Sequence, residues 1–136
     1  PTIFRLCGMI LMTNEAIPLK IRYSTEFKRE LKRLHKRYKS IQKDVTEFID
    51  TIKTDIFPGD VLQGIDTEAN VYKARVQNSD NKKGKSAGYR IIYTYFSPDI
   101  IFLVTIYSKS DQPDISASEI NAIVSSFNDE DETTDE

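Results

Sequence analysis

Alternating apolar and polar residues predict β-structure in the middle of the chain. Residues 71–77 (VYKARVQ) alternate strictly, so that Lys73 and Arg75 fall on the side opposite the apolar residues. Two runs rich in β-branched and aromatic residues follow at 89–96 (YRIIYTYF) and 100–109 (IIFLVTIYSK). Turn-forming stretches separate the three runs, which predicts an antiparallel meander. The last run is apolar enough to lie inside the sheet.

In the first third of the chain, apolar residues recur at helical spacing. Residues 19–24 (LKIRYS) predict a short first strand, after which Ser24 or Thr25 can cap a helix. Apolar residues then recur at spacings of four, three and four, as on one helical face: Phe27, Leu31, Leu34 and Tyr38. Ser40 can cap a second helix, which the FPGD segment at 57–60 ends. The two helices together predict a helical hairpin.

Residues 115–127 (ISASEINAIVSSF) predict a closing helix. The order β-α-α-β-β-β-α predicts an α+β fold, a small antiparallel sheet with the N-terminal helical hairpin packed on one face. We expect all three helices on that same face. The predicted domain covers 19–127, between a poorly specified N-terminal extension (1–18) and an acidic, disordered tail (128–136).

The extension begins with an apolar stretch, PTIFRLCGMILM. That stretch is too short to span a membrane, and it has no small-residue cleavage site of the secretory kind. No other segment of the sequence approaches a transmembrane length, so we expect no membrane association.

The formal net charge of −2 conceals a basic domain. Residues 129–136 hold six acidic side chains, and without them 19 basic residues face 15 acidic ones. Ten of the Lys and Arg residues fall within 20–43, and seven fall within 71–109. A basic patch is the electrostatic footprint of nucleic-acid binding, although a run of charge is as often only a solvated surface.

The segment Gly84-Lys85-Ser86 invites comparison with a nucleotide-binding P-loop. The P-loop pattern needs a further glycine at position 79, which is Ser79 here, and it must lead into a helix. The residues that follow predict a strand instead. A phosphate-cradling nucleotide loop is therefore disfavoured.

The common catalytic sets are missing from the sequence. His35 is the one histidine and Cys7 the one cysteine, so the sequence has no zinc pattern, and a lone histidine on a basic helix is more often a surface residue than the base of a Ser-His-Asp set. The acidic residues Asp111 and Asp114 follow the last predicted strand, where such residues usually cap turns or helices. We therefore expect no metal and no cofactor.

Cations on adjacent predicted strands and in one loop remain as candidate site residues. The strand-borne cations are Lys73, Arg75, Arg90 and Lys109, and the loop contributes Lys82, Lys83 and Lys85. The nearby tyrosines are Tyr93, Tyr95 and Tyr107, most of which we expect in the core. Cations beside aromatic rings suit RNA, whose phosphates pair with Lys and Arg while unstacked bases stack on rings.

With these segments the sequence resembles the RelE/HigB toxins of bacterial toxin–antitoxin modules. The resemblance rests on VYKARV, GKSAGYRIIY and LVTIYSK followed by an acid, and it covers about Leu19 to Phe127. GYRIIY and IYSKSD are the most specific parts, and they are closest to the HigB-like branch. The resemblance implies the same small sheet with a helical hairpin.

The resemblance also implies a cytoplasmic, metal-independent mRNA endoribonuclease (mRNA interferase) that acts on the ribosome and inhibits translation. Its partners would be the ribosome, mRNA and a cognate antitoxin of the HigA or RelB kind. The ribose 2′-OH would attack the adjacent phosphate, with Arg90 stabilising the transition state. Lys73 and Arg75 match positions for RNA contact and proton transfer, and Lys109 would serve the scissile phosphate or the leaving oxygen.

Departures from the family pattern leave roles open. Ser110 stands where some relatives have an arginine, and residues 114–118 (DISAS) lack the tyrosine that some relatives use. The general acid is therefore Lys109 or Tyr107, with Tyr107 also a candidate RNA contact. The loop lysines Lys82, Lys83 and Lys85 are candidates for binding ribosomal RNA.

Two other functions fit a chain of this kind. One is a ParE-like toxin that binds and inhibits DNA gyrase without cutting nucleic acid, and the other is a basic RNA-binding domain without activity. Fold alone does not separate them. The strand-borne cations favour the nuclease, because a gyrase inhibitor has no need of such a set.

Overall fold

The computed structural model describes residues 20–54, 58–65, 70–80, 88–97, 99–112 and 114–126. The strands are β1 (Lys20–Tyr23), β2 (Asp60–Val61), β3 (Val71–Val76), β4 (Tyr89–Ser97) and β5 (Ile100–Ser108). The helices are α1 (Thr25–His35), α2 (Ile41–Ile52) and α3 (Ala117–Ser125). The five strands form one sheet in the order β1-β5-β4-β3-β2.

The α+β class and the helical hairpin are confirmed. β3, β4 and β5 pair antiparallel, as the meander predicts, and β4 and β5 lie inside the sheet. Ser24 caps α1, since its side chain accepts a 2.8 Å hydrogen bond from the Phe27 N–H. Ser40 takes the N-cap position of α2 without a side-chain capping bond, and its own N–H donates to Asp80 at 2.8 Å.

The sheet is mixed, where the sequence predicted an antiparallel one. β1 runs parallel to β5, with Lys20 opposite Ile100 and Tyr23 opposite Leu103. The hairpin of α1 and α2 separates β1 from the meander, so β1 reaches the sheet from a distant part of the chain. Its residue pattern carries no information on the direction of its neighbour. The two-residue strand β2 was not predicted, because two residues are too few to show alternation.

The hairpin face is the side of the sheet that α1 and α2 cover. Its core is one cluster of aromatic and aliphatic side chains, drawn from both helices and from β1, β3, β4 and β5: Ile21, Phe27, Leu34, Ile41, Val45, Phe48, Ile52, Ala74, Val76, Tyr89, Ile91, Tyr93, Ile101, Leu103 and Ile106. Tyr93 is fully buried there and its hydroxyl donates to the Pro58 carbonyl at 2.8 Å. This tyrosine is a core residue, as expected.

The α3 face is the opposite side of the sheet, and it carries a smaller core. Val71, Ile92, Phe102 and Val104 are buried there with Ile120 of α3. The expectation that all helices share one face is therefore wrong for α3. Both faces of β4 and β5 are apolar near their middle, so each can bury a helix.

A β-bulge in β5 changes which residues face which side. Ile92 pairs with Thr105, and the next residue of β4, Tyr93, pairs with Leu103, so Val104 is the extra residue. Phe102 and the extra residue Val104 lie on the α3 face, and Ile106, beyond the bulge, lies on the hairpin face. Tyr107 therefore falls on the α3 face.

Gly88 allows the ends of β3, β4 and β5 to meet. A Cβ atom at Gly88 would lie 2.2 Å from the Val76 carbonyl oxygen and 2.9 Å from the Asn78 nitrogen. The Gly88 carbonyl also accepts a 3.0 Å hydrogen bond from the Lys109 N–H. The backbone of three strands thus converges where only a glycine fits.

We expect Gly88→Ala to lower the free energy of unfolding by about 1–3 kcal/mol, because the added methyl group must push the Val76 backbone away. Chemical denaturation followed by circular dichroism measures this. Gln77→Ala, an exposed neighbour on the same connection, is the control and should change stability by less than about 0.5 kcal/mol. Equal stability of Gly88→Ala and wild type would contradict the close approach.

Candidate active site

Three polar side chains form a row across the α3 face. Arg75 of β3 pairs with Arg90 of β4, and Arg90 pairs with Tyr107 of β5. Residues directly opposite each other in antiparallel strands have Cβ atoms about 4.5–5.5 Å apart. We call Arg75, Arg90 and Tyr107 the cross-strand row. It lies beyond the smaller core, toward the end of the sheet where β4 begins.

The three side chains of the cross-strand row differ in solvent exposure. Arg90 is 7% exposed and Tyr107 is 2% exposed, while Arg75 is open to solvent. The Arg90 guanidinium contacts the carbonyl of Tyr89 at 3.3 Å. Because Arg90 lies on an inner strand, its position is fixed by pairing on both sides. Tyr107 is too buried to stack an RNA base on its ring, so its hydroxyl is the part that can act.

The carboxylate of Asp114 links Lys73 to Tyr107 of the cross-strand row. It precedes Arg75 by two residues on the same face, and its ammonium lies 3.0 Å from Oδ1 of Asp114. The Tyr107 hydroxyl donates to the same oxygen at 3.2 Å, and the Ile115 N–H donates to it at 2.9 Å. Asp114 thus connects a side chain of β3 to a side chain of β5 through hydrogen bonds on the α3 face.

Burial, hydrogen bonds and neighbouring charges set the protonation states of Tyr107 and Asp114. Burial, and then the negative charge of Asp114, raises the pKa of Tyr107 to about 12, while Arg90 opposes the shift. The hydrogen bond from Lys73, followed by that from the Ile115 N–H, lowers the pKa of Asp114 below its ordinary value. At neutral pH, Tyr107 is therefore a protonated donor and Asp114 is an ionised acceptor.

Lys109 follows the last residue of β5 and is exposed. Its N–H donates to the carbonyl of Gly88, the residue before β4, which places the Lys109 backbone beside the start of the strand that carries Arg90. The next residues are held by the turn that follows α1, because Arg37 donates to both oxygens of Asp111 at 2.7 and 2.8 Å. Lys109 therefore borders the cross-strand row on a fixed segment.

The remaining candidates lie elsewhere. His35 is exposed at the end of α1, so the sheet separates it from the row. Lys82, Lys83 and Lys85 lie outside the described residues. Within the described part of the chain, no group of three or more His, Cys, Asp or Glu could hold a metal ion, and no helix is long and apolar enough to cross a membrane.

Asp114 is the site residue that the sequence did not reveal. Its position before α3 predicted a cap, and it does accept from the next N–H, but Ser116 is the cap of α3. Its main partner, Lys73, lies 41 residues earlier in the chain. A contact of that separation leaves no periodic signal in the sequence. Asp111 likewise pairs with Arg37, where the sequence suggested a turn cap.

A family model described as the RelE toxin of the RelE/RelB toxin–antitoxin system matches residues 27–130. The match covers α1 from its third residue, α2, the whole meander and α3. No curated protein matches the chain significantly.

The pairing of two arginines predicts a cost in stability. Like charges directly opposite each other in a sheet are destabilising, so we expect Arg75→Gln to raise the free energy of unfolding by about 0.2–1 kcal/mol at low salt. Thermal and urea unfolding at low and high salt measure the effect, which salt should reduce.

Arg75→Lys is the matched control, because it keeps the charge and should leave stability near that of wild type. If Arg75→Gln is less stable than Arg75→Lys at low salt, the two arginines do not repel each other as the register implies.

Proposed function

Since this chain belongs to the RelE toxin family, we propose that it is an mRNA interferase that cuts translated mRNA on the ribosome. It is a toxin of a toxin–antitoxin system, and toxins of this family are generally ribonucleases that partner an antitoxin. The segments GYRIIY and IYSKSD favour the HigB-like branch. The cytoplasm, where translation takes place, is the corresponding location.

One observation carries the proposal: Arg75 and Arg90 are paired directly across β3 and β4. Like charges directly opposite each other weaken a sheet, so the juxtaposition of the two arginines does not itself stabilise the strand pair. A phosphate between or beside them would relieve the repulsion and accept hydrogen bonds from both guanidinium groups. The arrangement therefore supports binding of a nucleic-acid backbone.

The proposed reaction is an in-line transfer within the RNA. The 2′-oxygen forms a bond to the adjacent phosphorus, and the bond from phosphorus to the 5′-oxygen breaks. The proton of the 2′-OH passes to a neighbouring water molecule, Lys73 contacts the phosphate through its ammonium group, and Arg90 stabilises the charge that develops on the phosphoryl oxygens. The products are a 2′,3′-cyclic phosphate and a 5′-hydroxyl.

Tyr107 is the better placed of the two candidate general acids. Its hydroxyl remains protonated at neutral pH and lies in the row with Arg90. The leaving 5′-oxygen is strongly basic and can take that proton. Lys109, exposed at the border of the row, then contacts the phosphate, and Arg75 contacts the neighbouring RNA backbone.

The ribosome would bind a different surface. Six cations of α1 and the following turn are exposed on the hairpin side: Lys28, Arg29, Lys32, Arg33, Lys36 and Arg37. Ion pairs hold Arg29 to Glu26 and Arg33 to Glu30, which fixes part of this surface. A surface of this charge binds the phosphates of structured RNA, while the α3 face takes the message. Lys82, Lys83 and Lys85 are further candidates for ribosomal RNA.

The antitoxin, of the RelB or HigA kind, would cover the cross-strand row. Burying the exposed Arg75 next to the already buried Arg90 without a counter-charge is costly, so the covering segment must supply carboxylates. An acidic partner segment on the α3 face meets that requirement.

Replacement of Arg90 tests the function. We expect Arg90→Ala to slow single-turnover cleavage of mRNA on ribosomes about 100- to 1,000-fold, because it removes one preorganised donor to the transition state. Arg90→Met should lose as much activity while it keeps most of the buried side-chain volume. Lys73→Ala, Arg75→Ala and Lys109→Ala should lose similar or smaller factors.

His35→Ala is the matched control on the other side of the sheet and should cut at the wild-type rate. Circular dichroism and thermal unfolding confirm that each variant is folded. Wild-type rates for a folded Arg90→Met would show that the site is assigned wrongly. Growth arrest with intact message and accumulating DNA breaks would establish the gyrase-inhibitor function instead.

A thio-substituted message tests the role of Tyr107. Tyr107→Phe should slow cleavage of ordinary mRNA by about 100-fold or more, since it removes the proton donor. A message with sulfur in place of the leaving 5′-oxygen needs no proton donor, so Tyr107→Phe should cut it at nearly the wild-type rate. Arg90→Met and Lys109→Ala should not be rescued. Rescue of Lys109→Ala instead would make Lys109 the general acid.

A further inference from the structure

One oxygen of Asp114 collects three hydrogen bonds from different parts of the fold. Lys73 donates from β3, Tyr107 donates from β5, and the Ile115 N–H donates from the segment before α3. A cation, a hydroxyl and an N–H around one anionic oxygen form a donor set that also suits a phosphate oxygen. Asp114 therefore occupies an anion position on the α3 face.

The donors are held more firmly than the acceptor. Tyr107 is buried, and the side chain of Lys73 is only 24% exposed on a paired strand. The side chain of Asp114 is 63% exposed and belongs to no helix or strand. An exposed ion pair contributes little to stability, so another anion can replace the carboxylate at small cost.

We propose that Asp114 is a positioning residue whose carboxylate occupies the place of an RNA phosphate oxygen in the free protein and is displaced by the phosphate when RNA binds. Until then, it holds the Lys73 ammonium and the Tyr107 hydroxyl in the positions that the phosphate will need. The identity of the ligand as RNA rests on the proposed function, whereas the exchange itself is measurable without cleavage.

This exchange has a definite kinetic consequence. Asp114 competes with the substrate for Lys73 and Tyr107 before binding, and it has left these groups in the transition state. Its removal should therefore tighten RNA binding and lower KM without raising kcat. A residue that only stabilised the fold would change neither binding nor KM in the folded variant.

The test compares Asp114→Asn with Asp50→Asn. Both changes remove one exposed negative charge, but Asp50 lies on α2, on the hairpin side of the sheet. The probe is a fluorescent 2′-O-methyl RNA oligonucleotide, which cannot be cut because its attacking hydroxyl is blocked. Its anisotropy reports binding to the folded protein at low and high salt.

We expect Asp114→Asn to bind the oligonucleotide about two- to five-fold more tightly than wild type at low salt, as removal of one exposed ion pair allows. High salt should reduce the difference. Asp50→Asn should remain close to wild type. Equal tightening by both variants would show that only net charge matters, and it would overturn the exchange.

A second variant isolates the contact with Lys73. In a Lys73→Met background, Asp114→Asn should change binding by less than half of its effect in wild type, because the main partner of the carboxylate is gone. An undiminished effect would contradict the exchange. A ten-fold lower kcat with unchanged binding would also overturn it, since Asp114 would then act in the transition state. Wild-type protein that binds the probe but leaves message uncut would refute the nuclease function alone.

Discussion

The bulge at Val104 determines which side chains of β5 share a face with Arg90. Without it, the two-residue period of a strand would place Ile106 beside Arg90 and turn Tyr107 into the core under the helical hairpin. The extra residue reverses this, so that Ile106 is buried with α1 and α2 while Tyr107 completes the cross-strand row. The proposed chemistry depends on this one shift in register, because it brings the phenol and the guanidinium together.

The proposed function assigns fold stability mainly to one face of the sheet and RNA binding to the other. The hairpin face buries an extended apolar core, which can offset an unfavourable pair such as Arg75 and Arg90 on the other side. On the α3 face, the small core ends where the polar row begins. In the free protein, Asp114 accepts hydrogen bonds from Lys73 and Tyr107 and neutralises part of the positive charge on this face.

The helices and the three strands of the meander could be predicted from the sequence, because they depend on local periodicity. The spacing of Phe27 and Leu34 fixed one helical face, and the alternation around Lys73 and Arg75 separated cations from core. The parallel β1, the placement of α3, the bulge and the partner of Asp114 depend on contacts between distant segments. Such contacts do not affect the spacing of apolar residues. The sequence therefore identified Tyr107 as a candidate, but it did not predict the strand register that pairs Tyr107 with Arg90.

The proposed function requires the α3 face to bind and cut an RNA backbone without help from a metal or a histidine. The sharpest measurement is the chemistry of the mRNA ends that form when the purified protein acts on mRNA bound to ribosomes. We expect a 2′,3′-cyclic phosphate on the upstream fragment and a 5′-hydroxyl on the downstream fragment. A 5′-phosphate with a 3′-hydroxyl, or a message that stays intact on the ribosome, would contradict it.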